Sequence, residues 1–139
     1  MSDVNTFYKV HGIRVLIYRN GKLLIMKRAD SDENDGNLWD IPGGKIEPDE
    51  SVFDAITREV FEETGLSAAS ISIEDLHGLI IGDFDSGNKL VIAVYECNSS
   101  TTKIKLNEEH SDYRWVNLSE LSSYSLGRIL IAVQPSLSN

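Results

Sequence analysis

Three glutamates, Glu59, Glu62 and Glu63, stand close together in a segment, residues 51–64, that otherwise reads as a helix. At about 100° per residue, Val52, Ile56, Glu59 and Glu63 share one row, with Ala55 and Glu62 flanking it. An apolar stripe that should face a core thus runs directly into carboxylates, whereas an ordinary amphipathic helix keeps its charges on the opposite side. Carboxylates three and four positions apart repel one another. A hard dication such as Mg²⁺ relieves that repulsion and prefers oxygen ligands, so the chemistry indicated is metal-assisted. Arg58 lies about a quarter-turn around the helix from Glu59; it can return toward Glu50, near the helix start, or toward a glutamate. Upstream, Gly43-Gly44 lets the backbone approach a metal or ligand and offers free carbonyls. The plain alternative is a solvated acidic face.

The elements that must position these groups follow from pattern and punctuation. Residues 13–18 and 22–28 are β-rich runs around Asn20-Gly21, a strong hairpin signal. Residues 29–37 are polar and turn-rich, hence a loop. Trp39-Asp40-Ile41 reads as a short strand stopped by Pro42-Gly43-Gly44. Asp49 or Ser51 can cap the helix, and Gly65 stands where a left-handed C-terminal residue belongs. Strands follow at about 71–84 and 89–97, joined by Asp85-Ser86-Gly87-Asn88, and a further pair at about 103–106 and 113–116. Residues 125–134 can form a helix with Leu126, Ile129, Leu130 and Val133 on one side. The expectation is one mixed α/β domain spanning 1–139.

Composition narrows the class. The chain has 139 residues, 41% hydrophobic and 25% charged, enough for a real core. Its one cysteine, Cys97, allows no internal disulfide and reads as a small buried hydrophobe. No apolar run approaches the roughly 20 residues of a membrane span, and Met1–Thr6 lacks the pattern of a signal peptide, so a cytoplasmic protein is expected. A net charge of −9 suits a nucleic-acid backbone poorly; phosphate is better approached through bound cations.

Gly44, five residues, Glu50, seven residues, Arg58-Glu59, Val60, Phe61, Glu62-Glu63, Thr64, Gly65 and Leu66 resemble the Nudix box at every specified position. A chance match is on the order of 10⁻⁶ at ordinary residue frequencies. The lead-in Leu38–Lys45 and the later Tyr113-Arg114-Trp115-Val116 with Leu118–Leu121 are also similar to that family; Pro48-Asp49 departs from the glycine many members carry before Glu50. The resemblance, with its box at 44–66, implies an α/β fold of the α+β type, an α/β/α sandwich with a mixed sheet between helices. It implies hydrolysis of a nucleoside diphosphate linked to another group. Glu59, Glu62 and Glu63 would bind Mg²⁺, with Mn²⁺ as a substitute, helped by a carbonyl of Gly43 or Gly44. Arg58 would orient the glutamates with Glu50 as its partner.

The favoured substrate is a (d)NTP, as for a MutT-like diphosphohydrolase; the alternatives are ADP-ribose or another nucleotide sugar, or a dinucleoside polyphosphate. A non-catalytic nucleotide sensor belongs to another class, but sensors on this fold are expected to lose box glutamates, and here all three are present. The partner expected is a small nucleotide, with no nucleic acid and no membrane, and a monomeric or homodimeric chain. Outside the box, Glu108 and Glu109 sit in a predicted loop and compete with Glu62 for the role of general base. His110 beside them could contact phosphate or be an ordinary loop histidine. Arg14 and Arg28 are candidates for phosphate contact against a default of solvent. Trp39 and Phe84 are candidates for stacking on a base against a default of packing.

Overall fold

The computed structural model describes residues 9–83 and 89–138. Its centre is β1 (Val10–Arg19), which turns at Asn20 (φ 51°) and Gly21 (φ 78°) into β2 (Lys22–Arg28). Both turn residues take the left-handed conformation that two-residue hairpins require, and the register Tyr18↔Leu23, Arg19↔Lys22 follows. Next come β3 (Trp39–Asp40), β4 (Gly43–Lys45), α1 (Val52–Thr64), β5 (Ile71–Asp83), β6 (Lys89–Ser99), β7 (His110–Val116) and α2 (Arg128–Val133). Among the described residues the sheet has seven strands with the path β3-β2-β1-β6-β5; β4 pairs with β1 and β7 with β2. It is mixed, because β6 runs parallel to β1 while the other pairings are antiparallel.

Alternation along β1 and β2 builds two cores, one on each face of the sheet. Ile13, Val15, Ile17, Leu24 and Met26 point to one side and bury Ala55, Ile56 and Val60 of α1. Leu16, Leu23 and Ile25 point to the other side and pack on Leu121, Leu130 and Val133. Each fully buried aliphatic side chain contributes about 1.5–3 kcal/mol, so α1 is fixed to the sheet mainly through its apolar half. Helices on both faces make this an α/β/α sandwich, as the resemblance implied. Among the described residues, no helix is long and apolar enough to cross a membrane.

Several boundaries differ from the sequence expectation. Gly43-Gly44 does not merely stop a strand: Gly43–Lys45 is itself a strand, in register Ile13↔Gly44 and Arg14↔Gly43. Residues 103–106 form no strand. Ile104 and Leu106 pack against the α1-side core, while the Lys105 amide donates to the Thr64 carbonyl at 2.8 Å, so this stretch closes the end of α1 instead of extending the sheet. The strand expected at 113–116 begins at His110, which removes His110 from the loop. The helix expected at 125–134 is regular only over Arg128–Val133. Of the two candidate caps for α1, Ser51 acts: its hydroxyl accepts the Asp54 amide at 3.0 Å, worth about 1 kcal/mol.

Candidate active site

Gly65 ends α1 with φ 76°, its amide donating to the Phe61 carbonyl at 2.9 Å, and this fixes how far the row of glutamates reaches. Along that row exposure rises sharply. Glu63 is 2% exposed, the side chain of Glu59 is 15% exposed and that of Glu62 is 53% exposed. The Glu63 carboxylate accepts the Gly43 amide at 3.2 Å through Oε2, tying the helix to β4. Burial, then the adjacent Glu59 carboxylate, pushes the Glu63 carboxyl well above the usual carboxylate range; the Gly43 amide and the charge of Arg14 only partly oppose this.

A side chain at Gly44 would crowd Glu59. A Cβ there would lie 2.6–2.8 Å from the carboxylate atoms of Glu59. At Gly43 a Cβ would meet the Ile13 carbonyl oxygen and the Arg14 side chain. The two glycines therefore bring backbone against both inner glutamates with no side chain between.

Arg58 organises the outer part of the cluster. Nε donates to Glu50 Oε2 at 2.8 Å and Nη2 to Glu50 Oε1 at 2.9 Å, a two-pronged pair. Nη1 donates to Glu59 Oε1 at 2.8 Å and lies 3.6 Å from Glu62 Oε2. Nη2 also reaches the Lys45 carbonyl at 3.0 Å. Glu50 accepts the Glu47 amide at 3.0 Å as well. The guanidinium, then that amide, holds the Glu50 carboxyl down to about 2.

The remaining candidates differ in what they touch. Glu109 and His110 join Glu63: one ligand atom from each lies within 4.8 Å of the others. His110 is 7% exposed; Nε2 stops 3.7 Å from Glu63 Oε1, and Nδ1 is buried with no hydrogen-bond partner among the described residues. An orphaned buried nitrogen costs about 1–3 kcal/mol. Burial, reinforced by Arg28 and Arg14, pushes the imidazole down to about 4, so the ring is neutral at pH 7. Glu108 stays outside this group, on the wall of a cleft of about 230 Å³ shared with Arg28, Ala29, Ser31, Asp32 and Glu109.

Arg28 and Arg14 border the cluster but are already engaged. Arg28 pairs with Asp32, Nε at 2.8 Å and Nη2 at 2.6 Å from Oδ2. Arg14 donates to the Ile41 carbonyl at 3.2 Å. Trp39 is packed: the Tyr124 ring meets it edge-on at 5.2 Å, and the Arg114 guanidinium lies 5.7 Å over it. Phe84 lies outside the described residues. Cys97 is buried, and burial pushes its thiol up to about 12, which suits an inert packing residue.

Two residues escaped the sequence reading. Asp32, which holds Arg28, was part of an undifferentiated polar loop. Asp40 is buried beneath α2, accepting the Ile129 amide at 3.2 Å and the Leu130 amide at 3.0 Å. A Cβ at Gly127 would collide with its carboxylate. The Asp-Ile-Pro-Gly-Gly run was visible, but nothing in it signalled a cap for a helix almost ninety residues on.

The donor set fits a dication. Glu63 and Glu59 lie against Gly43 and Gly44, whereas Glu62 is half exposed and lies 3.6 Å from Arg58 Nη1; Arg58 gives its two-pronged contact to Glu50.

The NUDIX domain model matches residues 9–132. The nucleoside triphosphatase NudI of Escherichia coli K12 is 31% identical over 121 residues, covering 80% of this chain and 84% of that protein. Among solved structures, the MutT protein of Methanosarcina mazei Go1 superposes with TM-score 0.76 at 28% identity, covering 91% of this chain and 90% of the other. An Ap4A hydrolase of C. elegans superposes with TM-score 0.73 at 18% identity, over 92% of this chain and 94% of that one, and shares the fold. With box, cradle and sandwich in one chain, the protein belongs to the Nudix family and is a Nudix hydrolase, an enzyme of a class that uses divalent metal.

Proposed function

We propose that the protein hydrolyses a diphosphate linkage of a nucleoside triphosphate, ribo or deoxy, with Mg²⁺ held by Glu59, Glu62, Glu63 and the Gly43 carbonyl. The observation that carries the reading is the pair Glu59 and Glu63 set against Gly44 and Gly43, with Arg58 bracing Glu59. Gly43 is favoured over Gly44 as carbonyl donor because its amide already meets the buried Glu63 carboxylate at 3.2 Å, which sets that residue beside the cluster. The triphosphate is favoured by the relative whose name is nucleoside triphosphatase, and the net charge of −9 favours a small substrate over a polyanion.

When bound, the cation neutralises the diphosphate and lowers the pKa of a water molecule. The chain's own groups do the rest. Arg58 holds Glu59 and Glu62 in place. Glu109, next to Glu63, takes a proton from the attacking water. Arg28 and Arg14 sit where they can exchange their present partners for phosphate oxygens. A screen of the purified protein against NTPs, dNTPs, oxidised nucleotides, nucleotide sugars and dinucleoside polyphosphates, with and without EDTA, tests the reading. Turnover of triphosphates lost in EDTA is the expected result; preference for a nucleotide sugar or a dinucleoside polyphosphate would overturn the substrate assignment.

A further inference from the structure

Asn107 shapes the turn that leads into β7. Its carbonyl accepts the His110 amide at 3.3 Å, and its side chain accepts the Glu109 amide at 3.1 Å. The Glu109 carbonyl accepts the Ala29 amide at 2.9 Å, and His110 stands opposite Arg28 in the β2–β7 register. Glu109 and His110 are thus fastened to the sheet through their backbones, while their side chains meet Glu63 of α1.

This group differs in kind from the α1 glutamates. It combines two carboxylates with one imidazole, its three ligand atoms within 4.8 Å of one another. His110 is more than nine-tenths buried, and Nδ1 has no hydrogen-bond partner among the described residues. Nε2 lies 3.7 Å from Glu63 Oε1, too far for a hydrogen bond. The nearby cations do not fill the space, since Arg28 is committed to Asp32 and Arg14 to the Ile41 carbonyl. A buried imidazole held against two carboxylates without hydrogen-bonding to either is arranged as a ligand set.

We propose that Glu63, Glu109 and His110 form a mixed nitrogen–oxygen site for a first-row transition-metal dication, one that takes Mn²⁺ in preference to Mg²⁺. The site adjoins the all-oxygen site of Glu59 and Glu62, shares Glu63 with it, and so rests on the reading of α1 as metal-binding; it takes one oxygen of Glu109 and leaves the other to accept the proton of the attacking water. Mg²⁺ favours carboxylate, carbonyl and water oxygens in near-ideal octahedra, whereas imidazole is a good ligand for the transition metals. A histidine at this position therefore biases the centre away from Mg²⁺, which an aspartate or glutamate there would not do.

The test uses the full chain with Mn²⁺ alone. Pulsed EPR of the Mn²⁺-loaded protein reads nitrogen bound to the metal, and incorporation of ¹⁵N-histidine shows whether that nitrogen is imidazole. His11 and His77, the other histidines, are held elsewhere: His11 accepts the Val91 amide, and His77 lies between Glu96 and Ser136. The expected result is a nitrogen coupling that changes isotope with the label. It should vanish in His110→Gln, together with a loss of Mn²⁺-over-Mg²⁺ preference of at least about tenfold, since removing even an outer partner of a metal costs about 10–100-fold. If His110→Gln fails to fold, the labelled wild-type spectrum decides alone. Mn²⁺ bound without histidine nitrogen overturns this inference and leaves the carboxylate reading of α1 intact. No Mn²⁺ binding at all overturns both.

Discussion

Arg58 sets two nitrogens against the two oxygens of Glu50, Nε at 2.8 Å and Nη2 at 2.9 Å, and extends Nη1 to Glu59 at 2.8 Å. One planar fork thus connects Glu50, just ahead of the Ser51 cap, to a glutamate on the row that faces the glycine cradle. Lysine cannot reproduce this, because a single ammonium lacks the fixed geometry of the fork.

Arg58→Ala and Arg58→Lys should therefore both lower kcat/KM, by about 10–100-fold if Arg58 acts as an outer support of a metal centre. Arg19, whose side chain donates to the Ser99 carbonyl at 3.1 Å, is the comparison. Steady-state kinetics of Arg58→Ala beside Arg19→Ala will check this; equal and small effects would refute it.

The same pair makes a pH prediction. Glu50 is held down to about 2, chiefly by the hydrogen bonds of Arg58. A folded-state pKa below the unfolded value gives stability that is complete above the unfolded pKa and is lost as pH falls through the folded one. Thermal melts should show wild type more stable than Glu50→Gln at pH 6, with the gap closing as pH falls from about 4.5 toward 2. A gap independent of pH would contradict the pairing.

Glu63→Gln and Glu62→Gln should each reduce kcat by far more than the 10–100-fold cost of losing an outer metal partner. Both remove charge from a repulsive cluster, so the metal-free Tm should hold or rise. Glu63→Gln should gain more, since that carboxylate is buried and Glu62 is not. Kinetics at saturating Mg²⁺ beside calorimetry in EDTA measure both halves.

Glu109→Gln should lower kcat by about 10²–10⁴-fold, the usual value of a general base. Glu108→Gln should stay near wild type: both residues line the cleft, but of the two it is Glu109 that groups with Glu63 and His110. The base variant should also lose the acidic limb of the pH–rate profile. Full activity of both loop variants would assign the base to α1, with Glu62 the first to examine.

Gly44→Ala should weaken metal binding more than it weakens the fold. The added Cβ would sit 2.6 Å from Glu59 Oε1, so the carboxylate at the end of that flexible side chain must shift from its present place. Calorimetric titration with Mn²⁺ and a thermal melt of the same sample will separate the two effects.

The helix was legible because several local signals agreed: Ser51 for the start, Gly65 for the end, and a helical period that ran into glutamates. The two-residue turn at Asn20-Gly21 was legible for the same reason. What stayed hidden depends on partners distant in sequence. Gly43-Gly44 reads locally as a stop, yet β1 recruits it as a strand. Lys103-Ile104-Lys105-Leu106 alternates like a strand, but Ile104 and Leu106 find their core beneath α1, and the Lys105 amide goes to Thr64. The arrest of Arg28 by Asp32 and the covering of Trp39 by Arg114 are facts about rotamers, on which the order of residues is silent.

The parallel register of β1 with β6 has a consequence for synthesis. Arg19 and Ser99, bonded side chain to carbonyl across that seam, are 80 residues apart in the chain. A nascent chain can therefore form the β1–β2 hairpin and α1 long before the strand that closes the middle of the sheet exists. Until β6 emerges, β1 offers an open edge rich in Ile13, Val15, Leu16 and Ile17, the kind of strand that pairs with the wrong neighbour. Such distant pairing also makes for slow folding. The hazard in making this protein thus falls in the interval between translation of the glutamate helix and translation of β6, when the central strand is least protected.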